Sequence, residues 1–412
     1  MFEAGVEIRA TALLERFREV RATTERLAEP LEPDDYGLQS MTSASPPKWH
    51  LAHTSWFFET FLLQPAGLRS FHPQFAYLFN SYYESLGPRH ARNARGLLSR
   101  PTVDEVYRYR AHVDAGVRAL IGRFDARALG LLELGLHHEQ QHQELLLTDI
   151  KHAFFQNPLR PAYQERRDPF GVAPMQRWLR FPEALRCVGH GSPGFSFDCE
   201  GPRHPTFVPA FSIASRPVTN RDYGAFIDDA GYHTPALWLS DGWALARAEN
   251  WEAPLYWERA DGGWQVFTLN GMKPVDPSEP VCHVSLYEAL AFARWAGARL
   301  PTEQEWETAS TGAAVAGNTL ESGRLHPGPS SEGEPAALFG DVWEWTSSPF
   351  APYPGYRPED GALGEYNGKF MCNQFVLRGG SCATPRTHLR PTYRNFWPPE
   401  TRFQFSGIRL AR

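Results

Sequence analysis

Apolar residues recur at helical spacing through the first 155 residues of the chain and almost nowhere after them. Leu13, Leu14, Phe17, Val20 and Leu27 share one stripe and predict a helix over 6–27. "SASPPKWH" is a Ser/Pro entry to a second helix, over 46–63. "RPTVDEV" offers Thr102 as N-cap with Glu105 three residues on, a capping box that opens a third. The fourth, over 128–155, carries "LELGLHHEQQHQELLLTDIKH". Four long helices predict a bundle, an architecture that builds metal sites from inward-facing side chains. Past them the pattern changes. Residues 158–185 read as a Pro/Arg/Gln-rich linker, and 186–412 as short strands and long loops with one clear helix, over 286–296. The Gly/Ala/Ser-rich stretch 311–340 reads as a surface loop, and no solenoid-type repeat is present. The fold class is therefore multidomain, α followed by α+β, with boundaries 1–157, 158–185 and 186–412.

Length agrees with that division, since 412 residues at 42% hydrophobic content exceed one ordinary core. A formal charge of −6 without a Lys/Arg block makes nucleic acid and anionic membrane unexpected partners. The N-terminal residues lack an apolar signal core and no stretch approaches 18 apolar residues, so a cytoplasmic location is expected. The five cysteines are odd in number and widely spaced, without a CxxC, and read as buried or free thiols.

The histidines of the fourth helix change the picture most. Leu131, Leu134, His138, His142 and Leu145 fall on one helical stripe, so imidazoles stand where core residues are expected. Burying each without a partner costs roughly 1–3 kcal/mol. Chelation of a metal by the i,i+4 pair offsets that cost. "HEQQH" also matches HExxH, in which Glu139 would be the general base of a zinc hydrolase. A third ligand must come from another helix. "PKWHLAHTSWFFE" supplies His50 and His53, of which His53 lies deeper in the apolar run; His50 reads as a packing neighbour. His72, His90, His137 and His152 have no comparable context. Three neutral imidazoles leave a metal electrophilic with open positions, but do not separate Fe(II), Zn(II), Ni(II) and Cu(II).

"WHLAHTSWFFE" with "HEQQHQELLL" resembles the DinB-like bundle of the ergothioneine-type (EgtB-like) sulfoxide synthases. "PVCHVSLYEALAFARWAGARLPTEQEWETAS", "FGDVWEWTSSPF", "FVLRGGSCA" and "RPTYRNFWPPETRFQFSGIRLA" resemble their other component, the formylglycine-generating-enzyme or sulfatase-modifying-factor domain, a C-type-lectin-like fold rich in loops. Either half alone is ambiguous; the two on one chain, in order, are specific. The resemblance implies mononuclear non-haem Fe(II) with O2 as co-substrate, held by His53, His138 and His142. It implies C–S bond formation between a thiol and the imidazole of a histidine derivative, with oxidation of the sulfur to a sulfoxide. Formylglycine-generating enzymes carry a cysteine pair after the RGGS stretch, whereas "RGGSCATPRTHLRPTYR" offers only Cys382, so copper–thiolate chemistry is not expected here.

Other assignments follow from the same resemblance. In "FNSYYESLGPRHARNARGLLSRP", Arg89 and Arg92 would bind the carboxylate of the thiol substrate, and Arg95 follows them at the same three-residue spacing. Tyr82 and Tyr83 are the candidate proton donors. Some family members take this tyrosine from the second domain, and those that take it from the loop look like the present sequence. Gln141 would help hold the imidazole substrate. "RNFWPP" resembles a pocket-lining Arg-Asn-Trp-Asp stretch: Asn395 fits, while Phe396 and Trp397 depart from it. The missing acid suits a thiol smaller than γ-glutamylcysteine, namely cysteine, and the two aromatic faces suit a trimethylammonium group. The expected substrates are thus hercynine (Nα-trimethylhistidine) and cysteine or γ-glutamylcysteine. The alternatives are an ovothiol-type synthase acting on histidine, a zinc-dependent hydrolase or thiol transferase on the HExxH helix, and a metal-stabilised binding module without redox chemistry.

Overall fold

The computed structural model describes residues 2–166, 171–329 and 334–412, with side chains from residue 6 onward. Part of the expected linker (167–170) and part of the expected surface loop (330–333) lie outside the described residues. The chain forms two compact units: Met1–Tyr163 with Asp360–Tyr366, and Gln164–Glu359 with Asn367–Arg412.

The first unit is helical. α1 (Phe2–Ala28) buries Leu13, Phe17 and Val20, as its periodicity predicts. α2 (Pro47–Phe58) starts with proline in its first turn, where no backbone N–H is needed. Every residue of α2 is buried, the mark of a helix enclosed on all sides. It runs on into a π-helical turn, Glu59–Leu63. A short α3 (Phe75–Phe79) follows. α4 (Val103–Leu120) opens on the predicted capping box: Glu105 N donates to Thr102 Oγ1 at 3.2 Å, and Thr102 N to Glu105 Oε2 at 2.7 Å, a cap worth about 1 kcal/mol. α5 (Ala126–Gln156) is capped by Asp125, whose Oδ1 accepts from Ala128 N at 2.8 Å. α2 packs on both α4 and α5, and α1 on α5.

The stripe of α5 that carries the histidines is enclosed around His138, and the helix buries a second stripe beside it. Leu129, Leu132, Leu136, Leu146, Leu147 and Ile150 are fully buried, whereas the leucines of the histidine stripe, Leu131, Leu134 and Leu145, are half-buried. The second stripe is interrupted by Glu139 and Gln143, both buried. Polar partners on α1 and α4 compensate them, so a hydrophobic pattern alone misses this part of the buried surface.

The second unit is built from small sheets. Its first strands are β1 (Trp178–Phe181), β2 (Ala184–Val188), β3 (His204–Val208) and β4 (Phe211–Ala214); β1 pairs with β4 and β2 with β3, both antiparallel. β5 (Trp257–Ala260), β6 (Gly263–Thr268) and β7 (Gly271–Pro274) form an antiparallel meander. A four-stranded sheet of β8 (Trp343–Pro349), β9 (Phe375–Arg378), β10 (Asn395–Trp397) and β11 (Ser406–Gly407) has the order β10-β9-β8-β11, parallel only between β11 and β8. Beside the helix read from sequence (Leu286–Trp295) stand three others: Asn220–Asp228, Ser240–Ala248 and Glu303–Ala309. They run seven to nine residues, too short for a helical stripe to register. Among the described residues no helix is long and apolar enough to cross a membrane.

Candidate metal centre

α2 and α5 bring His53, His138 and His142 together, one ring nitrogen from each lying within 4.8 Å of the others. The three ring centroids form a nearly equilateral triangle, 4.9, 4.6 and 4.7 Å on a side. His53 Nε2 faces His138 Nε2 at 3.1 Å. Its other nitrogen, Nδ1, sits 2.6 Å from the carbonyl of Phe79. A carbonyl only accepts, so Nδ1 carries the hydrogen and Nε2 presents a lone pair to the centre. Aromatic rings wall the site. His53 is sandwiched between Trp49 (4.5 Å, 13° between planes) and Trp56 (5.5 Å, 15°), and Phe57 packs on His138 at 4.7 Å.

This environment keeps the imidazoles neutral. Burial pushes His138 down to about 3, against a smaller upward pull from Glu139. Burial, and then the neighbouring histidines, hold His53 and His142 well below the ordinary value. Three uncharged nitrogen donors at this spacing fit a first-row divalent metal. His50 belongs to the surroundings of the centre: its Nδ1 lies 2.8 Å from His142 Nδ1, and its Nε2 3.0 Å from Asp149 Oδ2.

Glu139 does not serve the centre, which corrects the zinc-hydrolase reading. Its carboxylate accepts from Arg21 Nη1 (3.0 Å), Arg110 Nη2 (3.0 Å) and Thr24 Oγ1 (2.7 Å), fully enclosed. Successive helical residues are about 100° apart around the axis, so a side chain next to a ligand is carried to a different face. Enclosed and held in two ion pairs, this carboxylate is not placed to activate a water at the centre.

The loop after α3 behaves unevenly. Arg89 is exposed and bonds Glu84 (Nη2 to Oε1, 2.6 Å). Arg92 donates to the carbonyl of Ser43. Arg95 is 2% exposed, with its guanidinium 3.4 Å over the Trp49 ring. It donates to Ser45 Oγ (2.9 Å) and Ser81 Oγ (3.3 Å), while its Nε has no hydrogen-bond partner among the described residues. Burial, and then Arg92 and Arg89, push it down to about 8. A guanidinium in that position calls for an anion.

Tyr83 is fully buried, stacked on Tyr82 (4.7 Å) and packed on Phe61 and Trp56. Burial, then Tyr82 and Tyr366, push its phenol well above the usual range. The phenol beside the histidines is Tyr366, a residue the sequence reading missed. Its ring lies 5.7 Å from that of His138 and 6.2 Å from that of Tyr82, and its hydroxyl donates to Gln141 Oε1. The preceding Glu365 accepts from Glu84 N (3.0 Å), Ser85 N (3.1 Å) and Ser85 Oγ (2.6 Å), which ties Asp360–Tyr366 to the tyrosine loop. No periodicity signals this; only the tyrosine in "GALGEYNGKF" could have drawn attention.

In the second unit Asn395, Phe396 and Trp397 form β10, half-buried and paired with Leu377, Val376 and Phe375. Phe396 stacks on Phe350 at 4.0 Å, and Trp397 packs edge-on to Phe403. The Trp397 indole N–H has no hydrogen-bond partner among the described residues.

Residues 16–146 match the DinB superfamily, and residues 183–332 and 329–412 match the sulfatase-modifying factor enzyme 1-like domain. The chain is similar to a hercynine oxygenase of Mycolicibacterium thermoresistibile: 33% identity over 408 residues, 89% of this chain and 87% of that protein. A hercynine oxygenase of Mycobacterium tuberculosis is 38% identical over 240 residues, covering 52% of this chain and 56% of that one. A formylglycine-generating enzyme of Streptomyces coelicolor is 30% identical over 238 residues, covering 46% and 72%.

Proposed function

Because the chain belongs to the hercynine oxygenase family and is an oxidoreductase of that kind, we propose that it is a non-haem Fe(II)- and O2-dependent sulfoxide synthase that joins a thiol to the imidazole C2 of hercynine. The observation that carries the proposal is the cluster of three uncharged imidazoles, drawn from two helices and walled by aromatic rings. His53, His138 and His142 would hold the iron, which supplies the one-electron chemistry that O2 requires. The overall change balances: the S–H and C2–H bonds break, a C–S bond forms, one oxygen atom goes to sulfur and the other leaves as water.

The protein's own groups divide the remaining work. Forming water consumes protons, and the Tyr366 hydroxyl is the phenol placed beside the cluster to supply one. Tyr82 and Tyr83 stack behind it. Gln141, which the same hydroxyl engages, is positioned to orient the imidazole substrate. Arg95, with Arg89 and Arg92, would take the carboxylate of the thiol. Trp49, Trp56 and Phe57 keep water from the histidines. Asn395 is assigned to substrate binding on its resemblance alone, and Phe396 and Trp397 on the aromatic faces they would offer a trimethylammonium group. With no acid at the last of these positions, cysteine is the favoured thiol over γ-glutamylcysteine.

The test is aerobic incubation of the Fe(II)-loaded protein with hercynine and either thiol. O2 uptake should match formation of a sulfoxide whose mass rises by one labelled oxygen when 18O2 is used, and cysteine should outpace γ-glutamylcysteine. Replacing hercynine with histidine tests the ovothiol-type alternative in the same assay. An absence of O2 uptake with every pair would overturn the proposal.

A further inference from the structure

His50 meets the centre at His142, and Asp149 meets His50. His50 lies three residues before His53 on α2, and Asp149 seven residues after His142 on α5, so each shares a helix face with a histidine of the centre. His50 is 2% exposed and Asp149 5%. Asp149 Oδ2 accepts from Ser45 N at 2.8 Å and faces His50 Nε2 at 3.0 Å. An ionised carboxylate only accepts, so His50 Nε2 carries a hydrogen. With His50 neutral, its Nδ1 is a lone pair and must accept the hydrogen of His142 Nδ1, 2.8 Å away. His142 Nε2 is then left bare. The assignment also runs in reverse: a metal on His142 Nε2 puts the hydrogen on Nδ1, which His50 can receive only while it hands its own hydrogen to Asp149. No donor meets a donor anywhere along the line.

We infer that Asp149 and His50 are positioning residues that fix the tautomer of His142 and strengthen its Nε2 as a metal ligand. The inference rests on the metal centre proposed above. The three histidines are then unequal. His53 leans on a backbone carbonyl and His142 on an anion relayed through a second imidazole, while His138 Nδ1 has no hydrogen-bond partner among the described residues. Negative charge reaching an imidazole through its N–H raises the basicity of the opposite nitrogen, and outer partners of this kind change metal affinity by about 10–100-fold. His142 is thereby the strongest donor of the set.

The test uses the full chain and Co(II), whose ligand-field absorption reports both occupancy and donor strength. His50→Leu keeps the volume but gives His142 nothing to bond, and should weaken Co(II) binding by roughly 10–100-fold. His50→Asn places a carbonyl where His50 Nδ1 stood and should restore affinity to within about threefold of the parent. Asp149→Asn leaves acceptors for Ser45 and His50 but removes the charge; it should weaken binding about tenfold and shift the Co(II) bands. Asp149→Asn carries the test if His50→Leu does not fold. Parent-like affinity and spectrum in either folded variant, beside normal uptake by the parent, would overturn the inference and leave the metal centre standing. Failure of the parent itself to bind Co(II) would overturn both.

Discussion

Glu139 Oε2 sits 3.0 Å from Arg21 Nη1, and that contact, formed one residue along from a candidate metal ligand, separates support from chemistry in α5. The same helical turn offers an imidazole to the centre and a carboxylate to the bundle. Arg110 completes the charge pairing from α4, so Glu139 joins three of the four long helices at one buried point. Alone, burial would push this carboxyl up; the two guanidiniums overcome it and hold it down to about 2.

Glu139→Gln should therefore be a stability variant. Removing one member of a buried ion pair strands the others and costs about 3–5 kcal/mol. Denaturant titration should show a loss of that size, while kcat of the protein that remains folded stays within a few-fold of the parent. A general base at this position would give the opposite result, with stability kept and turnover abolished.

The sequence made the histidine cluster legible for one physical reason: His138 and His142 are local, four residues apart on a helix, and His53 sits in an apolar run with no other use for it. It made the four bundle helices legible through their stripes and through the Thr102–Glu105 cap. What it hid was non-local. The core face of α5 contains Glu139 and Gln143, whose partners Arg21, Arg110 and Thr24 lie on other helices. Tyr366 reaches the first unit from about 220 residues further along, carried by a segment with no periodicity, and its hydrogen bond to Gln141 spans 225 positions. Arg95 is one of three evenly spaced arginines, and exposure, which distinguishes it from Arg89 and Arg92, is not written in spacing.

Arg95 should govern affinity for the anionic substrate. A charge-assisted hydrogen bond in such a place is worth about 1.5–3 kcal/mol, so Arg95→Gln should raise the thiol KM by roughly 10–100-fold. The hercynine KM should move little. Arg95→Lys should recover only part of the loss, since an ammonium has neither the planar fork nor the face that rests on Trp49. Steady-state kinetics with each substrate varied in turn checks this; an equal rise in both KM values would show a collapsed site instead.

The three phenols can be told apart by single phenylalanine substitutions. Tyr366→Phe removes the hydroxyl of the ring packed on His138 and should lower kcat by about 10²–10⁴-fold, the usual worth of a positioned proton donor. Tyr82→Phe and Tyr83→Phe keep the stack and should leave kcat within about tenfold. A loss confined to Tyr83 would return the role to the loop.

Acid should act on the second unit through Glu303, 3% exposed and bonded by Arg394 (Nε at 2.8 Å, Nη2 at 3.0 Å), Arg378 Nη2 (2.9 Å) and the Tyr353 hydroxyl (3.1 Å). Burial raises this carboxyl, and Arg394 and Arg378 more than reverse it, leaving it below its ordinary 4.5. A carboxyl lowered by folding stabilises the native state above its unfolded value, and that stability drains away as pH falls towards the native one. At pH 7 Glu303→Gln should thus cost about 3–5 kcal/mol, the penalty for two arginines left buried without their anion. Below pH 4.5 the parent progressively protonates Glu303 and surrenders the same interaction, so the two melting curves should converge. Thermal melts of both proteins at pH 7, 5 and 4 measure the gap. If it stays constant across that range, Glu303 binds its proton equally well folded and unfolded, and the two arginines do not favour its charged form. The strand that follows would feel the loss as well, because Arg394 directly precedes Asn395 at the start of β10.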